Sequence, residues 1–290
     1  MSAETAPQSI EGLFQNARRR LAEAGIVTPD LDTSLLLEHA TGFTVLSRIT
    51  EAGRIVPPDS IERFEDCLAR RLRREPVHRI IGEREFYGLP LKLNASTLVP
   101  RPDTETLVDL VLPFVKDTVR QTGTCRILDL GTGTGAIALA LLATVPGTVA
   151  IGSDISDEAL DAAEQNAAAL QLEDRFAPVR SDWFEAIAGE FDLILSNPPY
   201  IRSADIASLD SDVRDYDPLA ALDGGDDGLA AYRILAEQAP AYLSGRGALS
   251  VEIGHDQKED VTILFEDLGF RRIGIRKDYS GHDRALFFVK

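Results

Sequence analysis

The chain has 290 residues, enough for a main domain and a smaller one, and its 44% hydrophobic and 27% charged content suits a globular protein with a sizeable core. Its net charge is −17, from 47 acids against 30 bases, and residues 1–80 are nearly balanced, so the later part carries the excess. Such a surface repels phosphate backbones, which argues against direct nucleic-acid binding, and the two distant cysteines, Cys67 and Cys125, fit neither a disulfide framework nor a metal site.

The first residues, "MSAETAPQSIEG", lack the pattern of a signal peptide, and no apolar run approaches the roughly 20 residues of a membrane span. The chain is therefore expected in the cytoplasm, in a reducing compartment. From Ser9 onward, "SIEGLFQNARRRLAEAG" places Ile10, Leu13, Phe14, Ala17 and Leu21 at helical spacing. A second helix is expected to start on Asp32 and end at Gly42, and a third to run from Pro58 to just before Pro76. The cluster Arg70, Arg71, Arg73 and Arg74 closes that third helix and could contact RNA, but the commoner reading is a solvated basic face that also suits the helix C-terminus. Residues 81–100 read as a β-hairpin linker.

From about residue 101, strands and helices alternate. "RILDLG" (126–131), "VAIGSD" (149–154), "FAPVRSD", "FDLILSN", "GALSVEIG", "RRIGIRKD" and "RALFFVK" are seven expected strands, the last two antiparallel across a short connection. The pattern predicts an α/β fold: a doubly wound, mostly parallel seven-stranded sheet, Rossmann-like, with ligands at the C-terminal ends of its strands and a small N-terminal helical domain. The expected boundaries are 1–80, 81–100 and 101–290. Residues 203–228 form an acidic loop with eight aspartates and one arginine.

"DLGTGTG" (129–135) follows the first of these strands and opens a helix. Glycines there let backbone approach a ligand, and a helix N-terminus offers free N–H groups. Asp154 ends the next strand, where a carboxylate suits ribose hydroxyls. The glycines at 131, 133 and 135 depart from the dinucleotide spacing, and Asp129 stands where a pyrophosphate would need to sit. A carboxylate there favours a cationic ligand such as S-adenosylmethionine over NAD, without excluding a dehydrogenase.

"SNPPYI" (196–201) ends the fourth strand in the same crevice. Two prolines stop a strand and fix the backbone that follows. Methyl transfer to an amide nitrogen needs acceptors for both N–H hydrogens, because the nitrogen lone pair is spread into the carbonyl. The Asn197 side-chain oxygen and the Pro198 carbonyl are the candidate acceptors, and Tyr200 offers a ring face to the planar group and to a sulfonium. The histidines at 39, 78, 255 and 282 lie outside both motifs and read as surface or structural residues.

These stretches, with "PVHRIIGEREFYG", "LVPRPDTETLV", "SDWF", "ALDGGDDGL" and "RKDYSGHDRAL", together resemble the HemK/PrmC-type glutamine-N5 methyltransferases of peptide chain release factors, over nearly the whole chain. The resemblance implies a class I methyltransferase fold that uses S-adenosyl-L-methionine. Its contacts would be Asp129, Gly131, Thr132, Gly133, Thr134, Gly135, Asp154 and Asn197, with Trp183 bordering the adenine. Asn197, Pro198, Pro199 and Tyr200 would hold the target, the glutamine of the Gly-Gly-Gln motif in class 1 release factors, with Asn197, Pro198 and Tyr200 as the catalytic groups.

The resemblance further implies no metal, a monomer, and an N-terminal domain that engages the protein substrate. "PRPDTE" reads locally as a helix start capped by Asp103, and by resemblance as a segment that closes over the cofactor. Asp217 in "DYDP" stands where the family pattern has Glu. A DNA adenine or cytosine amino-group methyltransferase is the alternative, since similar loops serve flipped bases, but it predicts a basic DNA face. A binding module without catalysis would be marked by a degraded glycine turn or a missing asparagine.

Overall fold

The computed structural model describes residues 8–290, which form two compact units. One holds residues 8–82 together with Ser211–Tyr216, and the other holds Glu83–Asp210 and Asp217–Lys290.

The first unit contains α1 (Ile10–Glu23), α2 (Pro29–Thr41), α3 (Val45–Thr50), α4 (Pro58–Leu72) and α5 (Val77–Ile81). The Ser9 hydroxyl accepts the Gly12 amide at 3.2 Å and caps α1, a contribution of about 1 kcal/mol. The stripe Ile10, Leu13, Phe14, Ala17 and Leu21 packs with Leu36, Leu37, Phe64 and Leu68 into one core. α2 begins at Pro29 and not at Asp32, because proline's fixed φ suits a first helical turn.

Asp32 instead lies inside that helix, where its carboxylate accepts from Arg71 Nε at 2.6 Å. Arg71 also donates to Asp212 at 2.8 Å and is only 6% exposed, so the expected solvated arginine face fails at this position. Its neighbours are engaged as well. Arg70 pairs with Glu75, Arg74 donates to the Ala24 carbonyl at 2.7 Å, and the Arg73 carbonyl accepts from the Tyr216 hydroxyl at 2.9 Å.

The second unit opens with an antiparallel hairpin, β1 (Glu83–Phe86) and β2 (Leu89–Lys92). The hairpin is tied to its own unit, since the Tyr87 amide donates to Glu105 at 2.9 Å and the Lys92 amide to Asn166 at 2.8 Å. Pro102–Thr104 then make a 3-10 turn ahead of α6 (Glu105–Thr122). Asp103 does not cap that helix. The 3-10 turn displaces the helix start, and it is the Asp103 carbonyl that accepts, from the Thr106 hydroxyl at 2.6 Å.

The rest alternates as expected: β3 (Cys125–Leu130), α7 (Ala136–Thr144), β4 (Thr148–Asp154), α8 (Asp157–Ala169), β5 (Phe176–Arg180) and β6 (Phe191–Ser196). The short α9 (Ser211–Arg214) falls in the first unit. Next come α10 (Ala230–Gln238), β7 (Leu243–Glu252), α11 (Lys258–Asp267), β8 (Arg271–Lys277) and β9 (Asp283–Val289).

The sheet order is β5-β4-β3-β6-β7-β9-β8, parallel except for β9, which runs antiparallel to both neighbours. Successive strand residues face opposite layers. Ile127, Leu193 and Ala248 join the core under α6, α7 and α8, whereas Leu128, Ile194 and Leu249 join the one under α10 and α11. The chain leaves β3 towards β4 and returns on the other side through β6, which opens a crevice at the C-terminal ends of β3 and β6. Among the described residues no helix is long and apolar enough to cross a membrane.

Candidate active site

The glycine turn between β3 and α7 is held from below. The Gly131 and Thr132 amides donate to the Ser153 carbonyl at 2.8 and 2.9 Å, which ties the turn to the end of β4. Gly131, Gly133 and Gly135 have φ of 71°, 55° and 81°, a region that side chains with a Cβ rarely adopt. A Cβ at Gly131 or Gly133 would meet no atom within 4 Å, so both backbones front open space, whereas one at Gly135 would strike Leu139 at 2.9 Å. The first two glycines thus serve access, and the third serves packing of α7.

Asp154 sits at the end of β4 with both carboxylate oxygens accepting backbone amides, Gly133 at 3.0 Å and Ser156 at 3.0 Å. Trp183 adopts φ 49°, and the Ser181 hydroxyl fixes its turn by donating to the Trp183 carbonyl at 2.9 Å. Phe184, next in "SDWF", is buried and stacks on Tyr242 at 4.8 Å, which anchors the loop that carries the tryptophan.

The segment after β6 is clamped as well as proline-stiffened. Residues 222–225 run beside it: the Ile201 amide donates to the Leu222 carbonyl at 3.0 Å, and the Gly224 amide donates back to the Ile201 carbonyl at 2.8 Å. A Cβ on Gly224 would lie 2.8 Å from the Pro199 carbonyl oxygen, and one on Gly228 would lie 2.5 Å from the Tyr200 carbonyl oxygen. That close approach accounts for two glycines of "ALDGGDDGL". The Tyr200 carbonyl also accepts from Gln257 Nε2 at 3.0 Å.

A cavity of about 550 Å³ lies between the turn and this loop, within the roughly 300–1,000 Å³ of small-molecule sites. Of the residues singled out by sequence, Gly131, Thr132, Gly133, Thr134, Asp154, Trp183, Asn197, Pro198 and Pro199 line it. Asp129, Gly135 and Tyr200 do not. Tyr200 packs instead against the second core, and burial raises its phenol to about 12. Asp129 is fully buried under the turn, with Oδ2 accepting from the Thr132 hydroxyl at 2.8 Å and Oδ1 without a partner. Burial pushes its carboxyl up to about 6.

An unpartnered buried carboxylate oxygen under an open glycine turn, with a second carboxylate and an indole on the cavity wall, suits a nucleoside that carries positive charge. Among the described residues no cluster of His, Cys, Asp or Glu has metal-binding geometry, and none of the four histidines lines the cavity.

Several residues of the site escape a sequence reading. Arg101 lines the cavity and pairs with the buried Asp217 at 2.6 Å, so "PRPD" and "DYDP" meet across an ion pair, and the Asp in place of Glu keeps it. Thr104 lines the cavity too, and its hydroxyl accepts from Asn197 Nδ2 at 3.3 Å. Glu252, at the end of β7, is 2% exposed, with Oε2 unpartnered. A lone acid in the apolar stretch "GALSVEIG" is the one signal that marks it. In "RKDYSGHDRAL", the buried Asp278 accepts the Ser280 and His282 amides, each at 2.9 Å, and pairs with Arg284 at 2.9 Å.

Residues 12–82 match the family described as PrmC N-terminal domain, and residues 108–209 match the methyltransferase small domain. The chain is 51% identical over 272 residues to the release factor glutamine methyltransferase of Agrobacterium fabrum, covering 94% of each chain. It is 47% identical to the protein of the same name from Rhodospirillum rubrum, covering 98% of this chain and 86% of the relative. A methyltransferase structure from Pyrococcus furiosus shares the fold with a TM-score of 0.53 at 19% identity, over 77% of this chain and 98% of that one. With the seven-stranded class I sheet, the glycine turn and the clamped Asn-Pro-Pro-Tyr loop in place, this chain belongs to the family of release factor glutamine methyltransferases.

Proposed function

We propose that the cavity takes S-adenosyl-L-methionine against the glycine turn and a glutamine side chain against Asn197 and Pro198, and that one methyl group passes to the glutamine amide nitrogen. The substrate is the Gly-Gly-Gln glutamine of a class 1 peptide chain release factor. The observation that carries this is the Asn197–Pro199 wall of the cavity, stiffened by two prolines and clamped by Gly224 and Gly228, in a chain of this family.

Bound S-adenosylmethionine would supply an electrophilic methyl group, with its sulfur keeping the electron pair of the broken carbon–sulfur bond as the neutral thioether leaves. Asp154, Trp183 and the turn residues Gly131 to Thr134 hold the nucleoside, and the carboxyl of Asp129 acts through the turn on the cationic part. Asn197 Oδ1 and the Pro198 carbonyl accept the two amide hydrogens of the glutamine. Neither has another hydrogen-bond donor among the described residues. That grip orients the nitrogen lone pair along the methyl path, and the proton released on transfer leaves to solvent. Positioning of this kind needs no side chain poised as a base, in keeping with a cavity without histidine. Tyr200 acts here as the anchor of the loop, through its half-buried ring and its carbonyl.

The helical part at residues 1–80 engages the release factor, 81–100 joins it to the catalytic part, and the protein works as a cytoplasmic monomer without direct contact to nucleic acid. Replacing Asn197 by Ala is expected to lower methyl transfer to a release factor by roughly 10²–10³-fold, as for loss of one preorganised polar group. Calorimetric binding of S-adenosylmethionine should be unchanged. Equal loss of both would make Asn197 a structural residue and refute the proposed role.

A further inference from the structure

The side chain of Asn197 presents an oxygen and a nitrogen of nearly equal size, and only the oxygen can accept from a substrate N–H. Something must decide which of the two meets the substrate. Asn197 Nδ2 lies 3.3 Å from Thr104 Oγ1, and Thr104 is 4% exposed at the end of its 3-10 turn. The Thr104 hydroxyl stands beside the carboxylate of Glu252 and favours its charged form, and Glu252 is itself 2% exposed with one oxygen unpartnered. The backbone under that acid is held by Tyr232, whose hydroxyl donates to the Glu252 carbonyl at 2.9 Å.

We infer that Thr104 and Glu252 are positioning residues that set the direction of the Asn197 amide. An ionised carboxylate only accepts, so it takes the single Thr104 proton. The Thr104 oxygen then has lone pairs alone to offer, and only the Nδ2 end of Asn197 can face it. Oδ1 is left for the substrate. This rests on the reading of Asn197 as a substrate acceptor given above.

The direction of the relay depends on the charge of Glu252. Burial raises its carboxyl to about 7, against the Thr104 hydroxyl beside it and the attraction of Arg284. Asp103 opposes the charged form and Arg101 favours it. The phenols of Tyr200 and Tyr232 are both pushed up by burial and stay neutral through this range. Below about pH 7 the protonated acid can donate to Thr104. The Thr104 proton is then released to point at Asn197, and the amide loses its fixed orientation.

The test compares Thr104→Val, Thr104→Ser and Glu252→Gln with the parent protein. Methyl transfer to a release factor is followed between pH 5.5 and 9, and S-adenosylmethionine binding is measured separately. The parent should lose kcat as pH falls through about 7. T104V should lower kcat roughly 10- to 100-fold, the scale of a misplaced catalytic group, with cofactor binding retained. T104S, which keeps the hydroxyl, should restore most of that loss, and E252Q should lack the acidic limb.

Parental kcat in T104V overturns the relay, as does an acidic limb centred near pH 7 that persists in E252Q or a T104S variant as impaired as T104V. If T104V fails to fold, seen as lost cofactor binding, the E252Q pH profile decides. Full activity of N197A would sink the site itself, whereas an inactive N197A beside a fully active T104V sinks only the relay.

Discussion

Gly224 offers a clean test of whether the proline loop must be held where it is. Its φ lies outside the left-handed region, so an alanine there carries no backbone strain, and only space is at issue. The added Cβ would sit 2.8 Å from the Pro199 oxygen and from Tyr200 Cα, and 2.9 Å from the Tyr200 carbonyl carbon. Ordinary contact begins at 3.4 Å, so backbone must move by about 0.6 Å.

The obstructing atoms belong to a Pro-Pro-Tyr segment with little freedom to give way. Overpacking of this kind costs roughly 1–3 kcal/mol of stability, which a two-domain-sized chain can absorb. The shift falls on the two proposed acceptors at residues 197 and 198, and displacement on this scale is expected to cost about 10- to 100-fold in kcat. Gly224 does not line the cavity, so S-adenosylmethionine affinity should remain near the parental value. Steady-state methylation of a release factor together with calorimetric cofactor binding reads both quantities. Parental kcat in Gly224→Ala, with the protein folded, would refute the claim that clamping of this loop matters for transfer.

Two further expectations concern buried charge. Asp32→Ala leaves Arg71, 6% exposed, with the Asp212 carboxylate and the Glu75 carbonyl, and removal of one partner of a buried pair costs roughly 3–5 kcal/mol. Urea denaturation followed by helix content should show that loss, and a change below about 1 kcal/mol, typical of an exposed pair, would mean the pair is solvated. Asp129, raised to about 6 from 3.8, holds an extra proton in the folded state between those values. Stability relative to Asp129→Asn should therefore fall as pH rises from about 4 to 6, by about 3 kcal/mol. Denaturation curves for the two proteins at three pH values in that window test it, and parallel stabilities would refute it.

The alternation of strands and helices is legible in the sequence because it is local. Apolar residues at period two and at helical spacing, with glycine turns between, define each element without its neighbours. The glycine turn and the Asn-Pro-Pro-Tyr loop are legible for the same reason, as each is a continuous stretch at a strand end. What is hidden depends on contacts far apart in the chain. Thr104 reads as a helix start until Asn197 and Glu252 are brought beside it. Gly224 and Gly228 read as part of an acidic loop until the Tyr200 backbone passes within reach of both. Arg71 reads as one of four surface arginines until Asp32 and Asp212 converge on it. Asp103 fails as a cap because proline at 102 draws the chain into a 3-10 turn first.

The most direct test of the central claim is to incubate the protein with a release factor and methyl-labelled S-adenosylmethionine, then digest the product and locate the label by mass spectrometry. The expected result is one methyl group on the side-chain nitrogen of the Gly-Gly-Gln glutamine, and none when that glutamine is replaced. Label on duplex DNA and none on the release factor would contradict the account.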